Sequence, residues 1–577
     1  MFKLENFLTH PIHAHTALAA RGDTALAAPC PTISATDYLD FFRNGLRIPF
    51  ENKYFGRRHL LNDLVMAECA TQDGKYIDAI ANAVWAICEE SGWQLPPHNS
   101  YGRGGPNLPL PDPTRPVIEL FSCETGAQLA LVLHLLGDRL EAAAPGITAR
   151  VLAELTHRVV TPYLTEHFWW MGNGEEQMCN WTPWCTQNVL LVAALTPQTV
   201  ETRKQICEKA EHSLHCFLKD YGEDGCCDEG AKYYGHAALC LFASIEVLNE
   251  LTNGQYMSWY EDTKIRNIAD FIRQMHVAGD YYINFADCPP KLPPPNALVC
   301  LFGKRTENIS LMAFAADGIR RHGLYKPSED LSLYTRLVEF FTSEEIAECT
   351  TIPTLPQDIY YPSAGVFIAR DARTCLAVKA GHNADNHNHN DTGSITLYFD
   401  GKPFFIDVGV GSYTRDTFSN RRYTIWTMQS AYHNLPTFGG IMQNAGRKFQ
   451  AMNVKYDIGD TESQISMDIA AAYPPEAGVT RYRRTVRLVK GEAVYVTDEY
   501  EGMHPAELSL MLDIKPAISG DIVEVPSKGS IYVTGANDIA LEEIAVTDPL
   551  LQKSWGEKLY RLVVTFKGKL ELKVLPF

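Results

Sequence analysis

Up to about residue 345 the apolar residues recur every third or fourth position, as in "LLNDLVMAECATQDGKYIDAIANAVWAICEESGW" and "ETGAQLALVLHLLGDRLEAA". "ITARVLAELTHRVVTPYLTEHFWW", "TQNVLLVAALTP", "AALCLFASIEVLNELT" and "IRNIADFIRQMHVAGD" repeat the pattern. That spacing predicts helices with one buried face. The connections are rich in Gly, Pro and Asn, which favour turns over helix interiors. Many helices of this length, with neither heptads nor a short repeat, predict helical hairpins packed into a toroid or solenoid.

From about Gly365 the period changes to two. "GVFIARD", "CLAVKAG", "SITLYFDG", "PFFIDVG", "YRRTVRLVKGEAVYVTDEY" and "LYRLVVTFKGKLELKVL" alternate as strands do, with Gly, Asp-Gly or Lys-Gly between runs. They predict an antiparallel β-sandwich of roughly 210 residues. The boundary is "TTIPTLPQDIYYPSAG". The expected organisation is thus a helical domain over 1–350 and a sandwich over 351–577.

Composition narrows the function classes. A 577-residue chain with 46% hydrophobic and 21% charged residues has enough apolar material for large cores. A formal net charge of -18 argues against general nucleic-acid binding, although a local basic cleft for a polyanion is compatible with it. The fifteen cysteines lack regular spacing and contain no CxxC pair. This disfavours a disulfide framework or zinc ribbon and favours reduced, buried thiols. The N-terminus lacks a basic segment followed by an apolar run, so a cytoplasmic location is expected, with a periplasmic or secreted one if a leader was trimmed. No 18-residue apolar stretch is read, so no membrane span is expected. Oligomeric state leaves no mark on the sequence.

The densest candidate chemistry begins at Gly381, in "GHNADNHNHNDTGSITLYFDGKPFFIDVGVG". His382, His387 and His389 fall within eight residues. Asp400-Gly401 is a strong two-residue hairpin turn. Such a turn sets Phe399 against Lys402 and brings Asp407 back towards His389. A carboxylate beside an imidazole, with a second imidazole from elsewhere, makes a divalent-metal site, and His433 of "SAYHNLP" is the candidate. His387 lies two residues from His389, on the same face if the backbone is extended. One histidine then suits a metal and the other a substrate proton. Two weaker clusters are "DGCCDEGAKYYGHAALC", with Tyr233 and Tyr234 at a helix mouth, and "CNWTPWCTQN", where Asn180 precedes Trp181 and Trp184.

Together these stretches resemble the heparinase II/III-like polysaccharide lyases, most closely at "GHNADNHNHNDTGSITLYFDG", "RRYTIWTMQSAYHNLP" and "DEGAKYYG". The resemblance implies an incomplete (α/α) toroid followed by an antiparallel β-sandwich. It implies β-elimination on a uronic-acid polysaccharide, expected to be a glycosaminoglycan such as chondroitin sulfate, hyaluronan or heparan sulfate. By motif, Asn180 neutralises the uronate carboxylate, Tyr233 is the acid (Tyr234 if the register slips by one), and His387 is the base on the opposite face. Trp181, Glu229, Arg422 and Asn434 contact substrate. His389, Asp407 and His433 hold one divalent ion, zinc by preference, with manganese or another ion as alternatives. Arg421 and Arg422 are expected to line a basic cleft.

Three other functions compete. A uronate C5-epimerase removes the same proton but makes no alkene. An inverting glycoside hydrolase needs two carboxylates across a cleft, for which Glu124, Asp228 and Glu229 are the candidates. A non-catalytic glycan-binding protein has no use for Tyr233, His387 and the metal set together.

Overall fold

The computed structural model describes residues 3–10, 12–324 and 326–577. They form two compact units. One comprises 1–221, 235–265 and 294–353, and the other comprises 222–234, 266–293 and 354–577.

The first unit is helical. Helix Leu120–Ala143 packs on Trp181–Leu195, which in turn packs on Val200–Asp220 and Cys240–Thr252. Helices Ala297–Arg305, Ile309–His322 and Leu333–Ala347 pack on one another, and the last returns to Leu120–Ala143. Their starts are chemically marked. Asn296, Asn308 and Ser332 each accept a main-chain N–H from the first turn of the helix they open, satisfying donors a helix leaves unpaired. Leu120–Ala143 is long and apolar enough to cross a membrane, which corrects the expectation that no such stretch exists. Most of it is buried inside this unit, as in the core helix of a globular domain.

The second unit is built on two antiparallel sheets. Five strands, Ile359–Tyr361, Val366–Arg370, Thr374–Lys379, Ile395–Phe399 and Lys402–Phe405, pair in chain order. The larger sheet runs Met452–Ile458, Glu462–Asp468, Val479–Val489, Ala493–Gly502, Lys558–Pro576 and Gly529–Ala545 before two short edge strands. Leu376, Leu397 and Phe405 from the first sheet share one core with Val486, Val496 and Leu572 from the second, so the layers meet face to face.

The predicted hairpin is present. Asp400 and Gly401 both have positive φ, 48° and 74°, and Phe399 pairs with Lys402, the geometry of a tight two-residue turn. The register then shifts between Tyr398 and Leu397, so Leu397 pairs with Phe405. All fifteen cysteines are free, and all but Cys30, Cys179 and Cys349 are buried.

Candidate active site and metal centre

In the second unit the expected residues gather around a carboxylate that the sequence reading did not single out. Asp287 is fully buried and receives four donors. Its Oδ2 accepts hydrogen bonds from His387 Nδ1 at 2.6 Å and the Tyr413 hydroxyl at 3.1 Å. Its Oδ1 accepts from Arg422 Nη2 at 2.7 Å and His389 Nε2 at 3.1 Å. Burial opposes ionisation, but the histidine hydrogen bonds and the Arg422 charge hold the carboxyl well below the usual carboxylate range. One anion therefore aligns both histidines of the H-N-H motif.

Backbone geometry explains how the two rings meet. The expectation of extended backbone at 387–389 is corrected: His387 lies in a turn with φ of 55°, a left-handed conformation that few side chains adopt. Strand alternation is not what brings His387 and His389 together. A tight turn aims one ring at each Asp287 oxygen. The partner loop is pinned as well. Ala286 has φ of 56°, and the Asn284 amide donates to the carbonyls of Asp407 and Cys288 at 3.1 Å and 3.3 Å.

His387 Nε2 faces Glu229 Oε2 at 3.2 Å. Burial acts against the imidazolium, yet the hydrogen bonds to Asp287 and Glu229 push its pKa up to about 9. His387 therefore holds both protons at neutral pH. Glu229, expected against substrate, is buried and engaged with this ring.

Tyr233 stands beside it, ring centroids 4.4 Å apart, with its hydroxyl 2.7 Å from the Tyr413 hydroxyl. Burial, together with the charges of Asp287 and Glu229, raises the Tyr233 phenol far above its ordinary value, so the phenol keeps its proton. Tyr234 is a core residue whose hydroxyl donates to the Ala269 carbonyl at 2.9 Å. Of the adjacent pair, Tyr233 is the one beside His387. Gly230 places this turn. Its φ is 88°, and a Cβ there would stand 2.7 Å from the Phe285 carbonyl oxygen, so only glycine lets the two segments approach.

His389, Asp407 and His433 are all buried, and one ligand atom from each lies within 4.8 Å of the others. The Asp407 carboxyl is held below its usual range: burial opposes ionisation, but His433 and His389 outweigh it. His433 Nδ1 lies 3.3 Å from Asp407 Oδ2, while His389 Nδ1 and His433 Nε2 are buried without a hydrogen-bond partner, an arrangement costly unless something else binds them. With His389 Nε2 directed at Asp287, Nδ1 is the nitrogen left for a metal. This donor set suits a divalent ion of the zinc class.

Two expectations change in the light of these contacts. Arg422 is buried: besides Asp287, its guanidinium donates to the carbonyls of Asn388, Thr417 and His387. It braces the turn and is no free cation for a polyanion. Its neighbour Arg421 is exposed and paired with Asp416 at 2.6 Å. Asn434 is fully buried, its amide donating to the carbonyls of Ile395 and Ile406 and accepting from the Met511 N–H. It joins strands and has no side-chain atom left for substrate.

In the first unit, Asn180 is buried at the N-cap of Trp181–Leu195. Trp181 is half-buried, with its ring centroid 4.8 Å from that of His98 and 5.0 Å from that of Trp169. Glu124, a hydrolase candidate, is buried and accepts from Trp184 Nε1 at 2.7 Å and the Asn188 amide at 3.1 Å.

Asp287 and Tyr413 were not legible in advance. "NFADCP" carries no motif, and Tyr413 lies in a loop with no periodicity.

Residues 353–555 match the family model described as Heparinase II/III-like, C-terminal. This part of the chain is similar to the C-terminal domain of that family. It carries His387, His389, Asp407, Tyr413, Arg422 and His433, while Tyr233 and Asp287 lie outside the matched span. The fold of the chain is also shared with solved structures. One is heparinase III, with a TM-score of 0.62 and 14% identity over 97% of this chain and 89% of that one. Another is a mutant of heparan sulfate lyase HepC from Pedobacter heparinus, with a TM-score of 0.61 and 14% identity over 98% and 88%. No curated protein matches the chain.

Proposed function

We propose that the protein is a polysaccharide lyase that cleaves a uronic-acid-containing glycosaminoglycan by β-elimination. The observation that carries this reading is the single anion, Asp287, joining His387, the Tyr413–Tyr233 hydroxyl pair and His389.

Elimination requires a group to take the proton at C5 of the uronate and another to protonate the departing O4. It also requires charge stabilisation for the enolate-like intermediate, commonly the largest single contribution. Tyr233 keeps its phenolic proton and is suited to protonate the leaving oxygen. Tyr413 orients the phenol through its hydroxyl contact, and solvent returns a proton to Tyr233 and takes the C5 proton from His387 once the product has left. His387 acts as base only after losing its Nε2 proton, for which Glu229 is the adjacent acceptor. Asp287 fixes the ring and stabilises the imidazolium that reforms.

A divalent ion, zinc by preference, bound by His389, Asp407 and His433 would hold the turn bearing His387 in place. Elimination consumes no water, and none of the steps above passes through the ion. The roles of Asn180 and Trp181 in holding the uronate rest on the resemblance alone. An epimerase would use the same proton-handling residues.

The test is incubation with a panel of unsulfated and sulfated uronate polysaccharides, following alkene absorbance and chain length. Alkene that grows as chains shorten supports the lyase. Exchange of the C5 proton with solvent without alkene identifies an epimerase, and reducing ends without alkene identify a hydrolase.

A further inference from the structure

Among the described residues, the cations of the second unit near Tyr233 divide into those with an anionic partner and one without. Arg422 is buried against Asp287. His387 lies between Asp287 and Glu229. Lys379 is buried against Asp385. Lys232, one residue before Tyr233, has no carboxylate in ion-pair reach among the described residues. Its ammonium instead lies over two aromatic faces, 5.3 Å from the Tyr233 ring centroid and 5.2 Å from that of Tyr413.

This is an unusual place to leave a positive charge. Ring faces return only about 0.5–2 kcal/mol of the hydration a cation gives up there. Burial lowers the Lys232 pKa, with Cys288 and Asp287 offsetting it in part. A half-buried ammonium beside two phenols, with no anion of its own, is set to receive one from outside.

We propose that Lys232 receives the carboxylate of the uronate whose O4 Tyr233 protonates, and so supplies the charge neutralisation that elimination requires. The assignment rests on the lyase reading for the identity of the anion. Its chemistry is that of any sugar carboxylate held beside the two hydroxyls. Lys232 then stabilises the charge that grows on the carboxylate as the C5 proton leaves, while the ring faces below it keep water away. The aliphatic stem of Lys232 adds packing that a non-polar residue of similar length preserves.

Binding can be separated from turnover in the Tyr233→Phe background. The ligands are unsulfated hexasaccharides of hyaluronan, chondroitin and heparosan, each paired with a form whose carboxyls have been reduced to alcohols. Affinities are measured by calorimetry at two ionic strengths. Tyr233→Phe is expected to prefer at least one carboxylate form over its reduced counterpart. Adding Lys232→Met should weaken that carboxylate form about 10- to 100-fold, leave the reduced form unchanged, and remove most of the salt sensitivity. Lys232→Arg should retain the preference, and it carries the test if the Met variant folds poorly. A preference that persists without the charge, an equal loss for both forms, or no preference in any pair overturns the proposal. Alkene formation by the wild-type protein is scored separately. A Lys232-dependent carboxylate preference without alkene would sink the lyase reading and leave this inference standing.

Discussion

Two buried carboxylates, Glu124 in the helical unit and Asp287 in the sheet unit, show how neighbours decide what burial does. Each is removed from water, and burial alone favours the neutral acid. Glu124 is buried among neutral donors, including the Trp184 indole and the Asn188 amide, and its pKa is pushed up to about 7. Asp287 receives two imidazoles and a guanidinium, and is held well below the carboxylate range. The helical unit thus buries a carboxyl close to neutrality, whereas the sheet unit buries a permanent anion and arranges cations around it.

The largest effect should come from making Asp287 resemble Glu124 in charge. Asp287→Asn leaves Arg422 buried beside a neutral amide, and breaking a buried ion pair costs about 3–5 kcal/mol. Thermal melting should drop sharply and turnover should fall to background. A folded, active Asp287→Asn protein would show that the anion is dispensable and the comparison empty.

Next comes Tyr233→Phe, which removes only a hydroxyl. Turnover should fall by about 10²–10⁴-fold with little change in melting. Tyr234→Phe should do the reverse, losing the hydrogen bond to Ala269 at a cost of about 1 kcal/mol while leaving turnover intact. Exchanged outcomes would place the acid one residue later.

Metal removal should have an intermediate effect. A ligand bound only by the folded state adds about 2.7 kcal/mol at a hundredfold excess over its Kd. Chelation should therefore lower the melting temperature of the wild type, and His433→Ala should start low and not respond. Elemental analysis of the two proteins checks the site directly. Equal metal content and equal melting would remove the ion from the account.

Glu124→Gln should have the smallest effect at neutral pH. The folded-state pKa of Glu124, about 7, lies above its unfolded value of 4.5. Its contribution to stability is therefore fully present below pH 4.5 and is lost as pH rises through 7. From pH 5 to 8 the wild type should lose about 2–3 kcal/mol from this group. The glutamine variant keeps an acceptor for Trp184 and Asn188 and should lack that slope. Melts of the two proteins at matched pH values measure the difference. Identical slopes would mean that Glu124 remains ionised.

The helices before residue 345, the strands after 365 and the Asp400-Gly401 hairpin were legible from the sequence because each depends on neighbours a few residues apart. Periodicity reports which face is buried, and a turn is chosen by the residues within it. The grouping of His389, Asp407 and His433 was also legible, since the hairpin carries Asp407 back towards His389 over a short path, and His433 completed it by residue type. The environment of these groups was not legible. Asp287 reaches His387 across one hundred residues and Tyr413 across 126, and no local pattern marks any of the three for the others. The left-handed turn at His387, the burial of Arg422 and Asn434, and the unpaired ammonium of Lys232 are likewise products of packing. Local sequence determined which side chains capable of chemistry stand near each other along the chain. Tertiary structure decided their charges, because a charge in a protein interior is set by the donors and acceptors that fold in around it.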